Sequence, residues 1–217
     1  RSVGRVMEAL KAQGLDDNTL IVFSSDNGAP GYIGLPDVNK PYRGWKLTFF
    51  EGGVRAPFLV RWPARLAAGT HYPHPVSSID LLPTIAAAAG VPLPSDRVID
   101  GVNLLPHLSG EIAAAPHQAL FWRDGEYEMV IAGGWKLQQA ARPAKTWLFH
   151  LDADPTEQRE LSVAEPAKLA ELKGLLAAHN AEMRKPLWPS FLEMPVMVDK
   201  TLDQPEAEGD EFVYWQN

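Results

Sequence analysis

The residues best suited to chemistry stand at the end of an apolar run. Thr19-Leu20-Ile21-Val22-Phe23-Ser24-Ser25 leads directly into Asp26, Asn27 and Gly28. Asp26 offers a charged carboxylate and Asn27 a neutral amide oxygen, and both are hard donors that suit Ca²⁺ or Mg²⁺. Asp-Asn-Gly is also a common turn sequence. The triplet alone therefore fits a metal site and a simple turn equally well.

Lys46 is the second candidate, and it lies between Gly44 and an aromatic-rich segment. An ammonium on a long flexible side chain can reach a tetrahedral anion bound at the edge of a sheet. Its position alone fits an ordinary surface lysine better. Glu51 and Arg55, just beyond it, are predicted to pair with each other and to fix the turn that follows Lys46.

The elements around these residues follow an α/β succession. Four consecutive apolar residues suit a strand that is covered on both faces, as in a parallel sheet. Open α/β sheets carry their ligand sites beyond the carboxyl ends of such strands. The predicted elements are a first helix ending at Gly14, a strand at Thr19–Ser24, a long loop at Gly28–Gly44, a strand at Phe58–Trp62, and a helix that begins at Asp80 and ends at Gly90.

The pattern changes after residue 116. Four short strands and one helix are predicted there, with Gly133-Gly134 as a two-residue hairpin between the middle strands. They are Ala119–Arg123, Tyr127–Ala132, Trp135–Gln139, Thr146–Leu151 and a helix from Pro166 to Arg184. The sequence therefore predicts three parts of the chain: an α/β core portion at 1–115, a small antiparallel subdomain at 116–185 and an extended acidic tail at 186–217.

Composition argues against several functional classes. Acidic residues outnumber basic ones 27 to 20, for a net charge of −7, and no basic run occurs, which argues against a nucleic-acid partner. The 217 residues include no cysteine, so they contain no disulfide, thiolate metal site or cysteine nucleophile. No apolar run is long enough to cross a bilayer.

Five motifs in a fixed order resemble those of the sulfatase family, the formylglycine-dependent enzymes of the alkaline-phosphatase-like superfamily. They are Ser25–Gly28, Arg43–Lys46, Glu51–Pro57, Ile79–Thr84 and Asp100–Pro106. The later segment Trp147–Glu157 is similar to the one that precedes the family's final helix. The resemblance implies the C-terminal portion of a parallel or mixed α/β core, followed by a small antiparallel sheet with one helix.

The resemblance also implies roles for individual residues. Asp26 and Asn27 would coordinate a divalent cation, Ca²⁺ rather than Mg²⁺, and Lys46 would contact the sulfate of the substrate. That substrate would be a sulfated small molecule or a sulfated sugar. Family members carry a glycine after the lysine, where this chain has Leu47. We expect this departure to move the ammonium little.

The nucleophile that the resemblance implies is not in this chain. In the family it is a formylglycine made from the first residue of a Cys/Ser-x-Pro-x-Arg motif, and neither a cysteine nor such a serine occurs here. We therefore expect it, with further metal ligands, in an N-terminal part upstream of Arg1, and we expect the isolated chain to be inactive. The family implies a periplasmic or extracellular location, with the cytoplasm as the alternative.

Two other functions fit the same residues. Relatives within the superfamily hydrolyse phosphonate or phosphate monoesters, and the upstream sequence would distinguish them. A truncated chain that acts as a non-catalytic module is the third interpretation.

Two further patterns fit loops better than metal sites. His71 and His74 lie among prolines, and Asp152-Ala153-Asp154 lacks the Gly and Glu of a calcium-binding loop.

Overall fold

The computed structural model describes residues 1–216 and contains two compact units. The first comprises Arg1–Ser25 with Pro57–Gln118, and the second comprises Asp26–Ala56 with the chain from Ala119 onward. Segment Asp26–Ala56, which the sequence grouped with the core portion 1–115, therefore packs with the later part of the chain.

The helices are α1 (Ser2–Ala12), α2 (Glu51–Val54), α3 (Leu81–Ala88), α4 (Leu105–Leu108) and α5 (Pro166–Glu182). The strands are β1 (Ile21–Ser24), β2 (Phe58–Arg61), β3 (Ala119–Asp124), β4 (Tyr127–Ala132), β5 (Trp135–Ala141), β6 (Ala144–His150), β7 (Glu193–Met197) and β8 (Phe212–Gln216). Short 3₁₀ turns lie at Gly31–Ile33 and Ser78–Asp80.

In the first unit, β1 pairs with β2 in antiparallel orientation, with Ile21 opposite Arg61. Phe23 and Leu59 are cross-strand partners, and 48% and 58% of their surfaces are exposed. Within the described residues, β1 is thus paired in antiparallel orientation, and the face that carries Phe23 and Leu59 is open. Antiparallel sheets commonly leave one face open in this way.

A buried carboxylate, that of Asp80, joins two of the sequence motifs in the first unit. It accepts hydrogen bonds from the backbone N–H of Ser77 and of Val102, each at 2.8 Å. Thr84, one turn further on, accepts from the N–H of Leu104 at 2.9 Å. The motif at the start of α3 and the motif before α4 are thus locked together, which gives both a structural role. As predicted, α3 starts directly after Asp80.

The second unit contains a four-stranded antiparallel sheet in the order β3-β4-β5-β6. Gly133-Gly134 joins β4 to β5, so the predicted hairpin is confirmed. α5 packs Leu172 and Leu176 against this sheet. Burial of such leucine side chains contributes about 1.5–3 kcal/mol each, which explains why the helix lies on the sheet rather than in solvent.

The segment predicted as an extended tail contains a further hairpin. β7 and β8 pair in antiparallel orientation, with Val196 opposite Val213. Val198 and Val213 are fully buried and belong to a core cluster with Phe50 and Trp147. This part of the chain therefore differs from an extended tail, because the run at Phe212–Trp215 forms a strand despite its acidic surroundings.

Candidate active site

Asp26 and Asn27 directly follow β1 and open the second unit, with Asp26 exposed and Asn27 half-buried. The residue after them is fixed by close backbone packing. The N–H of Gly28 donates to the carbonyl of Gly53 at 2.8 Å, and a Cβ at Gly28 would overlap the carbonyl oxygen of Gly52. Only glycine fits there, so the Ser-Asp-Asn-Gly motif is seated on the Gly-Gly pair of α2.

The backbone of Lys46 is joined to the same segment. The N–H of Lys46 donates to the carbonyl of Ala29 at 3.1 Å, three residues after Asp26. The side chain of Lys46 is half-buried. Within residues 1–216 its ammonium makes no ion pair with a carboxylate. The structure thus places the segments that carry the three predicted site residues side by side.

A side-chain amide, that of Asn39, bridges these two segments. Its Oδ1 accepts from the N–H of Ala29 at 3.0 Å, and its Nδ2 donates to the carbonyl of Ala29 at 2.9 Å. The same Nδ2 donates to the carbonyl of Gly44 at 3.1 Å. One side chain therefore holds the segment after Asp26 and the segment before Lys46 at a fixed separation.

The turn that carries Lys46 is tight. Gly44 has a φ of 83°, and a Cβ there would overlap the side chains of Thr48 and Phe50. The hydroxyl of Thr48 accepts from the N–H of Trp45 at 3.2 Å. Leu47 has a φ of 80°, which strains any L-residue with a Cβ. A glycine would adopt this conformation without strain, so the leucine at this position costs backbone energy.

A buried ionic cluster supports the segment beyond Lys46. Lys136, on β5, is fully buried, and its ammonium lies 3.0 Å from Glu51 Oε1 and 2.9 Å from Glu157 Oε1. The other oxygen of Glu157 accepts from the backbone N–H of Glu51 at 2.6 Å. Burial raises the pKa of the Glu157 carboxyl, although the charge of Lys136 opposes that effect.

Polar side chains extend the ionic cluster. The hydroxyl of Tyr127 donates to Gln138 Oε1 at 2.5 Å and accepts from the N–H of Phe49 at 2.8 Å. Gln138 Nε2 donates to Glu157 at 3.3 Å. Burial raises the pKa of Tyr127 well above its ordinary value, so the hydroxyl keeps its proton. The turn after Lys46 is therefore anchored to the small sheet at several points.

Two arginines complete the support of this segment. Arg55 contacts Glu51 Oε2 at 3.1 Å, which confirms the predicted pair. Arg43, the first residue of the Arg-Gly-x-Lys motif, contacts Asp199 at 2.6 Å and Glu211 at 2.5 Å. It thereby joins the turn that carries Lys46 to the segments of Asp199 and Glu211.

Sequence reasoning missed Lys136 and Glu157. Lys136 stands beside Leu137 and Gln138 in a predicted strand. If that strand is buried, the lysine needs an ionic partner, since lysine is almost never fully buried without one. The partners themselves lie far apart in the sequence and could not be paired by inspection. In the described part of the chain, His71 and His74 belong to no group of three or more His, Cys, Asp or Glu side chains that could hold a metal ion.

The donor chemistry of Asp26 and Asn27 fits a hard divalent cation, because both offer oxygen and both lie beyond a strand end. Among the residues that the structure describes, no three His, Cys, Asp or Glu side chains converge into a metal-binding group. These two residues therefore fit as two ligands of an oxygen shell rather than as a complete site.

Comparison with known proteins identifies the family. The family model described as Sulfatase matches residues 1–91. The chain belongs to the sulfatase family. Steryl-sulfatase of Rattus norvegicus is 38% identical over 160 residues, which cover 71% of this chain and 27% of that protein. The chain thus spans about a quarter of the length of this relative. Sulfatases use a metal ion and a formylglycine.

Solved structures confirm the fold class as α/β of the alkaline-phosphatase-like kind. The crystal structure of Ps i-CgsB matches with a TM-score of 0.75 and 32% identity, covering 86% of this chain and 42% of that one. The same protein has been solved with k-i-k-neocarrahexaose. Phosphonate monoester hydrolase SpPMH from Silicibacter pomeroyi matches with a TM-score of 0.64 and 25% identity, covering 82% of this chain and 38% of that one.

None of the helices within residues 1–216 has the length and apolar character needed to cross a membrane. The location of the protein stays a prediction.

Proposed function

We propose that this chain supplies the cation-binding and sulfate-binding residues of a sulfuric ester hydrolase. The observation that carries the proposal is the hydrogen bond from the N–H of Lys46 to Ala29, which fixes the lysine beside the segment of Asp26 and Asn27. A cation-binding pair and an ammonium held side by side form a site for an anion with tetrahedral geometry.

In the proposed reaction, Lys46 binds a sulfate oxygen and stabilises the negative charge that develops as the ester bond breaks. Removing one preorganised donor of this kind lowers kcat about 100- to 1000-fold. Asp26 and Asn27 would hold Ca²⁺, whose large, flexible oxygen shell suits one carboxylate with one amide. When bound, such an ion supplies charge stabilisation to the sulfate oxygens.

The formylglycine nucleophile is proposed to lie outside residues 1–217, since these contain no cysteine and no Ser-x-Pro-x-Arg sequence. For the substrate we propose a sulfated sugar or another sulfated small molecule. The match to a protein solved with k-i-k-neocarrahexaose and the match to steryl-sulfatase support these two classes.

The test uses the protein at its native length with an aryl sulfate as substrate. Lys46→Ala is expected to lower kcat/KM about 100- to 1000-fold, because the lost donor acts on the transition state. Lys173→Ala, on the exposed face of α5, is the matched control and should leave kcat/KM unchanged. Wild-type activity in Lys46→Ala would contradict the proposal.

The metal is tested by calorimetry with Ca²⁺ alone. Asp26→Ala and Asn27→Ala should each weaken Ca²⁺ binding at least tenfold, whereas Asp37→Ala, in the exposed loop of the same unit, should not. Equal Ca²⁺ affinity in all variants would show that the two residues are not ligands.

A second candidate function is phosphonate monoester hydrolysis, which the structural match to SpPMH favours. Both esters present a tetrahedral anion to the same lysine. The two are separated by measuring kcat/KM for an aryl sulfate and for an aryl phosphonate on one preparation. A higher value for the phosphonate would replace the sulfatase proposal with this one.

A further inference from the structure

Asn39 lies in the long loop before Lys46, where its neighbours on both sides, Val38 and Lys40, are exposed while its own side chain is half-buried. All of its amide atoms are used inward. Oδ1 accepts from Ala29 N, and Nδ2 donates to the carbonyls of Ala29 and Gly44, at 2.9–3.1 Å. Because the partners are one donor and two acceptors, only one orientation of the amide satisfies them.

The partners of Asn39 belong to both halves of the proposed site. Ala29 follows Asp26 and Asn27, and its carbonyl also accepts from the N–H of Lys46. Gly44 begins the tight turn that carries Lys46. The side chain of Asn39 and the N–H of Lys46 therefore donate to the same carbonyl oxygen, that of Ala29. Without the amide of Asn39, only the hydrogen bond from Lys46 would join the two segments at this point.

We propose that Asn39 is a positioning residue that sets the separation between the cation-binding pair and Lys46. The inference rests on the proposed function and deepens it. Catalysis of this kind depends on geometry, since a displacement of about 1 Å can lower a rate about 100-fold. Asn39 itself touches neither substrate nor cation; it acts by holding the backbone on which Asp26, Asn27 and Lys46 stand.

The experiment compares Asn39→Ala with Asn180→Ala in the protein at its native length. Asn180 is also half-buried and donates one side-chain hydrogen bond, to Glu128, in the same unit. Asn39→Ala should lower kcat/KM for an aryl sulfate about 10- to 100-fold and weaken binding of Ca²⁺ alone. Asn180→Ala should do neither.

A double variant separates positioning from loss of folded protein. If Asn39 acts through Lys46, then Asn39→Ala should lower kcat/KM much less in the Lys46→Ala background than in the wild type. The same fold-reduction in both backgrounds would show a merely structural role and overturn the inference. Activity of Asn39→Ala within threefold of Asn180→Ala would overturn it as well.

The outcomes distinguish this inference from the proposed function. Wild-type activity in Lys46→Ala would contradict the proposed function. A large effect of Lys46→Ala with none from Asn39→Ala would contradict only the role of Asn39.

If the Asn39→Ala variant does not fold, Asn39→Asp takes its place. It keeps the shape and the acceptor but loses both donated hydrogen bonds, so the same losses are expected, and wild-type activity would overturn the inference.

Discussion

Asp80 in the first unit and Glu157 in the second are both fully buried carboxylates. Each binds a backbone N–H of a motif elsewhere in the chain, 22 residues away for Asp80 and 106 residues away for Glu157. Their surroundings differ. Asp80 is held by two backbone N–H groups and the ring nitrogen of His117 at 2.8 Å, whereas Glu157 faces the ammonium of Lys136, which also pairs with Glu51.

This difference separates two ways of locking motifs together. A buried carboxylate can be satisfied by hydrogen bonds from groups within 37 residues along the chain, as in the first unit. When the partners are distant and a second carboxylate is buried nearby, a buried cation is needed, since uncompensated charge in the interior is strongly destabilising. The segment that carries Lys46 depends on the second arrangement.

The largest expected effect comes from removing the buried cation. Lys136→Met leaves the buried carboxylate of Glu157 without a cationic partner and leaves Glu51 with Arg55 only, so it should lower the free energy of unfolding by about 3–5 kcal/mol. Chemical denaturation of the protein at its native length measures this. In the double variant Lys136→Met/Glu157→Gln, Glu51 retains Arg55, so part of the loss should be recovered. An equal loss in both variants would mean that charge balance is not what holds the cluster.

A smaller effect is expected at Asp80. Asp80→Asn keeps the shape but weakens the hydrogen bonds from Ser77 and Val102 and removes the charge opposite His117, so the free energy of unfolding should fall by about 2 kcal/mol. The same denaturation experiment measures it, with Asp96→Asn on the exposed surface as the control. If Asp80→Asn lowered the free energy of unfolding as much as Lys136→Met, the two buried carboxylates would not differ in the way proposed.

The smallest effect is on pH dependence. Because burial raises the pKa of Glu157 in the folded state, the folded protein binds more protons than the unfolded chain between the ordinary glutamate pKa and the raised one. The contribution of this group to stability is therefore highest at low pH. It falls as the pH rises through that window, by at most about 1.4 kcal/mol for each pH unit.

Comparison with Glu157→Gln isolates this contribution. The difference in unfolding free energy between wild type and variant should decrease as the pH rises above about 4.3, the ordinary glutamate pKa, and then become level. Glu182→Gln, exposed at the end of α5, should show no such trend. A difference that increases with pH would mean that Lys136 outweighs burial and lowers the pKa of Glu157.

The elements that positioned the site were predictable because their signals are local. β4 has the predicted bounds, and Gly133-Gly134 marks its hairpin in the sequence. The segments of Asp26, Asn27 and Lys46 were found through ordered motifs and lie side by side. The cluster around Lys136 was not predictable, since nothing near Lys136 in the sequence identifies Glu51 or Glu157 as partners.

The hairpin of β7 and β8 was missed for a different reason. Pro195 stands in the middle of β7, and proline normally argues against a strand unless the strand lies at an edge. The acidic residues before β8 also suggested solvent exposure. Burial of Val198 and Val213 against Phe50 and Trp147 overrides both local signals, and such long-range packing has no counterpart in a short sequence window.

The ion pairs of Arg43 have a consequence for how the protein is made. Its carboxylate partners, Asp199 and Glu211, come 156 and 168 residues later in the chain. During synthesis, Arg43 and the neighbouring Lys46 turn leave the ribosome long before either partner exists. Contacts of such high sequence separation form slowly, so the turn that carries Lys46 gains its full support only after β8 has been translated, and a nascent chain arrested before β8 would carry Lys46 without that support.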